Sequence, residues 1–172
     1  MANVSRLPLA ALASIVVATS PTTVLAHPTS AAPAGRHLWE LPGEAGAAAH
    51  VVDAFHAALK AGDTDKAAGF LATDALVFEA GGAERSRADY AAAHLAADAK
   101  FEGAAESTPQ QRSGAASGGM AWIATEGRVR SRSGDKVVDR LTTETMILRR
   151  TPAGWRIVHV HWSSRSAPPA EH

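Results

Sequence analysis

Apolar residues recur at three- and four-residue steps through Glu44 to Ala61. Ala48, Val51, Val52, Phe55, Ala58 and Leu59 fall on one stripe, which predicts an amphipathic helix. Gly62 follows as its stop. Asp63 and Thr64 cap a second, short helix through Leu71, with Ala67, Phe70 and Leu71 facing inward. Thr73-Asp74 breaks it. Ala75 to Ala80 reads as a short strand, and Gly81-Gly82 turns the chain. Ser86 and Asp89 outline a capping box with Asp in place of Glu. They open a third helix to about Ala99, with Tyr90, His94 and Ala97 on one face. From Lys100 the period changes toward two. Phe101 to Arg112 is a strand poor in β-branched residues, and its Pro109 points to an edge or a bulge. Ser113 to Gly119 reads as a hairpin turn. Met120 to Ser131, Val137 to Arg150 and Trp155 to Ser164 are strands, separated by turns at Gly134-Asp135 and Pro152-Ala153-Gly154. The predicted class is α+β: a curved antiparallel sheet wrapped over three N-terminal helices.

The first 26 residues have a different character. Arg6 supplies one positive charge, Leu7 to Val17 is an apolar run broken by Pro8 and Ser14, and Val24-Leu25-Ala26 fits cleavage after Ala26. The run is too short for a bilayer span. Residues 1–26 are therefore expected to be an export signal, leaving the mature protein periplasmic or secreted, with no membrane attachment. Residues 27–43, with three prolines and two glycines, are expected to form a flexible leader. The domain is expected over residues 44–166, with a tail at 167–172.

Composition narrows the chemistry. Of 172 residues, 17 are Lys or Arg and 17 are Asp or Glu. Arg6 is the only charge before residue 27, so the expected mature chain carries a net charge of −1. No basic footprint for nucleic acid is present. The absence of cysteine removes disulfides, thiolate metal sites and a cysteine nucleophile together. No phosphate-binding glycine loop or nucleophile elbow occurs. Arg128, Arg130 and Arg132 alternate on one strand, but Glu126, Asp135 and Asp139 are interleaved, which reads as a solvated rim. No cofactor is implied.

The last two strands carry the candidate chemistry. A tight turn at Pro152-Ala153 sets Met146 opposite His159 and Glu144 opposite His161. Glu144, Met146, Leu148, Ile157, His159 and His161 would then share one face. Thr145, Ile147, Val158, Val160 and Trp162 would share the other. A bulge would break this register. An opposed Glu144–His161 pair can exchange a proton with a substrate, or simply satisfy itself. His159 and His161 also have same-face spacing for metal ligation, with Glu144 or His94 as a further ligand. His50 and His56 lie on the first helix, and neither is assigned a role.

The order of elements resembles the nuclear-transport-factor-2-like (SnoaL-like) cone fold. The segment Glu144 to Ser163 is similar to the association (hub) domain of calcium/calmodulin-dependent protein kinase. The shared features are Glu-Thr before a strand, a basic turn ending in Gly-x-Trp, and Val-His-x-His-x-Ser. Ala121-Trp122-Ile123 fits the preceding strand. The resemblance covers about residues 44 to 165. It implies a small-molecule pocket between sheet and helices, lined by Glu144, His159 and His161 with Phe78, Tyr90, His94, Trp122, Ala124 and Met146. The arginines that hold a carboxylate in the hub pocket correspond to Ala124 and Met146 here. The resemblance further implies a homodimer through the outer sheet face, using Trp162, Val160 and Ile147. Function spans a ligand-binding module and an isomerase, cyclase or dehydratase.

Overall fold

The computed structural model describes residues 40–134 and 136–168. The expected signal, most of the leader, Asp135 and the end of the tail lie outside the described residues. Four helices and six strands follow in the order α1 (Gly43–Lys60), α2 (Thr64–Phe70), β1 (Leu71–Glu79), β2 (Gly82–Glu84), α3 (Arg87–Ala93), α4 (Leu95–Ala104), β3 (Glu106–Ser117), β4 (Met120–Ser133), β5 (Lys136–Thr151) and β6 (Gly154–Ser166). The class is α+β, as expected, with one curved sheet in the order β2-β1-β6-β5-β4-β3. The strands β3 to β6 form the antiparallel meander, while β1 runs parallel to β6. Among the described residues, no helix is long and apolar enough to cross a membrane.

Local chemistry explains the element ends. Asp63 accepts from the Lys66 amide at 3.1 Å and starts α2. Ser86 accepts from the Asp89 amide at 3.0 Å and starts α3. The expected third helix is split: His94 ends α3 and precedes α4, with φ −116°. Helix α4 continues to Ala104, beyond the expected change to strand, because Phe101 and Glu102 remain helix-competent. Ser113 to Ser117 then extends β3 rather than turning. The turn is confined to Gly118-Gly119, both at positive φ. Pro109 sits on the edge strand beside a bulge, as its missing N–H requires.

The core lies where α1 and α2 cover the inner face of the sheet. Ala48, Val52, Phe55, Ala58 and Leu59 of α1 pack with Ala67, Val77, Tyr90, Ile123, Met146, Leu148, Ile157 and Val160. Met146 and Leu148 are fully buried. Met146 is thus a core residue, not the pocket residue expected from the resemblance.

The expected β5–β6 register holds only near the turn. Thr151 faces Gly154 and Leu148 faces Ile157. Between Ile147 and Leu148 the ladder shifts by one, and Ile147 faces His159. Val158 is the extra residue of a β-bulge. Beyond it Met146 faces Val160, Thr145 faces His161 and Glu144 faces Trp162. Since a one-residue slip exchanges the faces, Val160 and Trp162 turn inward and His159 turns outward. The Glu144–His161 pair therefore does not form. The expected dimer face also loses Val160 and Trp162.

Gly114 shows how tightly the edge strand closes on this core. A Cβ there would lie 2.8 Å from the Trp122 carbonyl oxygen and within 3 Å of the Leu41 and Ile123 side chains. Gly114→Ala is expected to cost about 1–3 kcal/mol of stability. A thermal melt of the variant indistinguishable from wild type would contradict that packing.

Candidate functional site

A cavity of about 900 Å³ opens between α1, α4 and the inner sheet face. It lies within the usual range of ligand pockets, about 300–1,000 Å³. Glu144 on β5 is its most deeply placed carboxylate, with 9 % of its surface exposed. Such burial is tolerated only with compensating donors. His56 of α1 donates from Nε2 to Glu144 Oε2 at 2.7 Å, and Trp162 of β6 donates from Nε1 to the same oxygen at 2.7 Å. An ionised carboxylate can only accept, so Nε2 of His56 carries the proton. Both donors converge on Oε2. Among the described residues Oε1 has no partner, and it is not among the sealed, unpaired polar atoms, of which Trp155 Nε1 is the one example. Oε1 therefore retains an opening, and Glu144 lines the cavity.

The electrostatics follow from these contacts. Burial opposes a charged imidazole, but the Glu144 carboxylate outweighs it and holds His56 above its ordinary value. Burial likewise opposes a charged Glu144. His56 and the Trp162 indole, with a contribution from Arg112, outweigh it and hold the carboxyl below its ordinary value. Each shift favours the charged form of its group, so the two together favour the ion pair. Trp162 is fixed by stacking on Phe55, ring centroids 6.4 Å apart, and by a tilted contact with Tyr90.

A second polar group occupies the α4 side. Tyr90, fully buried, donates to Asp98 Oδ2 at 2.7 Å. Burial, then the adjacent Asp98, push the phenol strongly upward. Burial also raises Asp98 and Glu79, and both line the cavity. His94 pairs with Glu84 at the α3–α4 junction, and this contact raises the imidazole.

The expected site residues are thus dispersed. Glu144 is central. His161 borders the cavity but faces Thr145 across the strands. Tyr90 lies behind Asp98, and His94 is turned to Glu84. Phe78, Trp122, Ala124 and His159 are on the outer face, with Phe78 edge-on to His159 at 5.1 Å and Trp122 45 % exposed. Among the described residues, no three His, Asp or Glu side chains converge to hold a metal ion, so the His159–His161 metal site gains no third ligand. The residue missed from sequence is His56. Its signal was present, since His56 follows Val52 by four residues and precedes Leu59 by three, on the edge of the buried stripe.

Residues 48–167 match the SnoaL-like domain model. The chain belongs to the SnoaL-like domain family. A crystal structure from Shewanella frigidimarina, provisionally named a ketosteroid isomerase, is 34 % identical with TM-score 0.65, covering 70 % of this chain and 98 % of the other. A protein from Xanthomonas campestris, provisionally named a calcium/calmodulin-dependent protein kinase II association domain, is 20 % identical with TM-score 0.60, covering 75 % and 91 %. A protein from Streptomyces avermitilis, provisionally named a dehydratase of the NTF2-like family, is 19 % identical with TM-score 0.60, covering 72 % and 97 %. The last two likenesses show the SnoaL-like chain's fold alone. Among proteins of curated function, none matches.

The ion pair makes stability depend on pH at both ends. Glu144 is lowered, so its stabilisation is complete above its ordinary 4.5 and is lost as pH falls through the native value. His56 is raised, so its share is complete below its ordinary 6.5 and is lost as pH rises through the native value. Between these values both shares are present. Thermal melts carried below and above that range should show a plateau with two limbs, and His56→Gln should remove the alkaline limb. Persistence of that limb in the variant would assign it to another group.

Proposed function

We propose that this SnoaL-like domain is a small-molecule enzyme that moves a proton on a carbonyl substrate, with Glu144 as the base. The observation that carries this reading is the idle Oε1 of a buried, ionised carboxylate opening onto a large cavity. His56 holds the carboxylate in place and in its charged state, as the third group of a catalytic constellation does. A base needs an unoccupied oxygen within reach of a substrate C–H, and Oε1 supplies one. The proton taken can be returned to the same or a conjugated carbon, an isomerisation, or can accompany loss of a hydroxyl, a dehydration. The family membership and the neighbours named as an isomerase and a dehydratase support this class. The reading replaces the Glu144–His161 pair with Glu144–His56.

The second reading is a ligand-binding module without turnover, which the same cavity supports. Self-association belongs to either. The outer sheet face aligns Trp122, Ile147 and His159 across β4, β5 and β6, with Phe78 beside them. We infer a homodimer through this face, a use for which the neighbour named as an association domain offers a parallel. Export through residues 1–26 is part of the same proposal and rests on their sequence.

Wild-type protein incubated with 2-tetralone in deuterated water is expected to incorporate deuterium beside the carbonyl. Glu144→Gln should lower that rate by about a hundredfold or more while leaving the fold intact. An equal rate in the variant would remove Glu144 from the mechanism, and no exchange by wild type would favour the binding module. A native mass spectrum of protein expressed with residues 1–26 in place should show a dimer of chains beginning at His27. Uncleaved monomers would overturn both the export and dimer readings.

A further inference from the structure

Strand β3 brings a buried cation to the same floor as Glu144. Arg112 faces Thr125 on β4, Thr125 faces Glu144 on β5, and Glu144 faces Trp162 on β6. The four residues form one cross-strand row. Two strand spacings, about 10 Å, separate the Arg112 and Glu144 backbones. The bulge between Pro109 and Gln111 keeps both Arg112 and Pro109 on the cavity side, and both line it.

Arg112 is unlike the other arginines of the cavity. Arg128 is gripped by both oxygens of Asp139 at 2.6 Å. Arg140 bonds, among the described residues, only Ser164, at an exposed position. The Arg112 side chain is 6 % exposed. Nε donates to Thr125 Oγ1 at 3.2 Å, and Nη2 donates to Asp53 Oδ1 at 2.7 Å. Its remaining nitrogen, Nη1, has no partner among the described residues and is not sealed from accessible space. A guanidinium fixed by two anchors thus keeps its Nη1 amino group unused, on a side chain that lines the same cavity as Glu144. Its charge reaches that oxygen's group, because Arg112 contributes to lowering Glu144.

We propose that Arg112 Nη1 is the anion-stabilising donor of this cavity, holding the substrate oxygen on which charge develops. This rests on the reading of Glu144 as base. When Glu144 Oε1 takes the proton, the C–H bond breaks. Its electron pair forms a carbon–carbon double bond, and the carbonyl pair moves onto oxygen as an enolate. A preorganised cation in a water-poor site stabilises such charge strongly. Return of the proton from Glu144 to carbon closes the step, and nothing else is consumed. The acceptor must then be an oxygen conjugated to the reacting carbon, so the arginine fixes which end of a substrate enters first. Asp53 and Thr125 act as positioning residues, through their bonds to the guanidinium.

The test uses 4-nitrophenol, whose phenolate mimics an enolate and is seen by its own absorption band. Glu144→Gln is a neutral stand-in for the protonated base, so this variant is expected to bind the phenolate at a pH below the probe's own pKa. Adding Arg112→Gln should weaken phenolate binding about tenfold or more, the usual worth of a hydrogen bond to a charged group. Asp53 is half exposed, so Asp53→Asn in the same background spares the fold and should weaken binding by a smaller factor. Equal phenolate affinity with and without Arg112, or no phenolate binding by Glu144→Gln protein, overturns the assignment. Failure of the base reading shows separately, as deuterium exchange indifferent to Glu144. Arg112-dependent phenolate binding would then leave the anion site standing without the base.

Discussion

The extra residue at Val158 decides what this sheet can do. On the turn side of it, β6 sends Trp155 and Ile157 inward beside Leu148. Beyond it, β6 sends Val160 and Trp162 inward beside Met146 and Glu144. Without the bulge the inward set would be Trp155, Ile157, His159 and His161, and Trp162 would leave the inner face. The bulge therefore settles three matters at once. It seals the core with Val160, it presents an indole N–H to a buried carboxylate, and it turns His159 and His161 off the inner face of the sheet. The core and the candidate site share this single constraint, since a slip of one residue would undo both.

Burying Glu144 is the costly part of the arrangement. An isolated carboxylate taken from water would neutralise itself. Here two donors from different elements, His56 on α1 and Trp162 on β6, meet on one oxygen. The His56–Glu144 contact ties the first helix to β5 across 88 residues of sequence. Replacing such a pair with apolar residues is often neutral or stabilising, so packing alone gives a weak reason for it. The asymmetry between the two oxygens supplies a stronger one. A carboxylate kept only for structure would be expected to use both oxygens in bonds to the protein. This one spends Oε2 on its supports and leaves Oε1 to the cavity.

Much of the fold was legible in the residues. The α1 stripe, the Asp63 and Ser86 caps, the hairpin at Pro152-Ala153 and the edge position of Pro109 each follow from local rules, and each appears. The site was legible only in part. Glu144 stood out, but its partner came from a helix, and no local rule pairs a helix residue with a strand so far away. The register was readable in principle. Apolar residues in β6 occupy odd positions at Trp155 and Ile157, then even positions at Val160 and Trp162. That change of parity is what a bulge produces. Reading the turn alone extended its register too far and placed His161 where Trp162 stands. The parallel pairing of β1 with β6 was not legible either, because it depends on how the helices return the chain to the sheet.

Family membership explains the cone but not the chemistry, since one such scaffold carries many activities. The particular features of this chain lie in which rows of the sheet bear charge. The positions that the resemblance sets against the hub arginines, Ala124 and Met146, lie on the outer face and in the core. A guanidinium nevertheless reaches the cavity, from β3 instead, as Arg112. Its place is set by the regular register from the Gly118-Gly119 turn, in which Ser117 faces Met120 and Arg112 faces Thr125, whereas Trp162 is placed by the β6 bulge. A tight turn and a bulge thus bring a polar side chain inward at opposite ends of the row that contains Glu144. Bulges beside a site act as placed features in this way. On this argument the β6 bulge belongs to the site itself: a regular β6 of the same length would leave the carboxylate without its indole support.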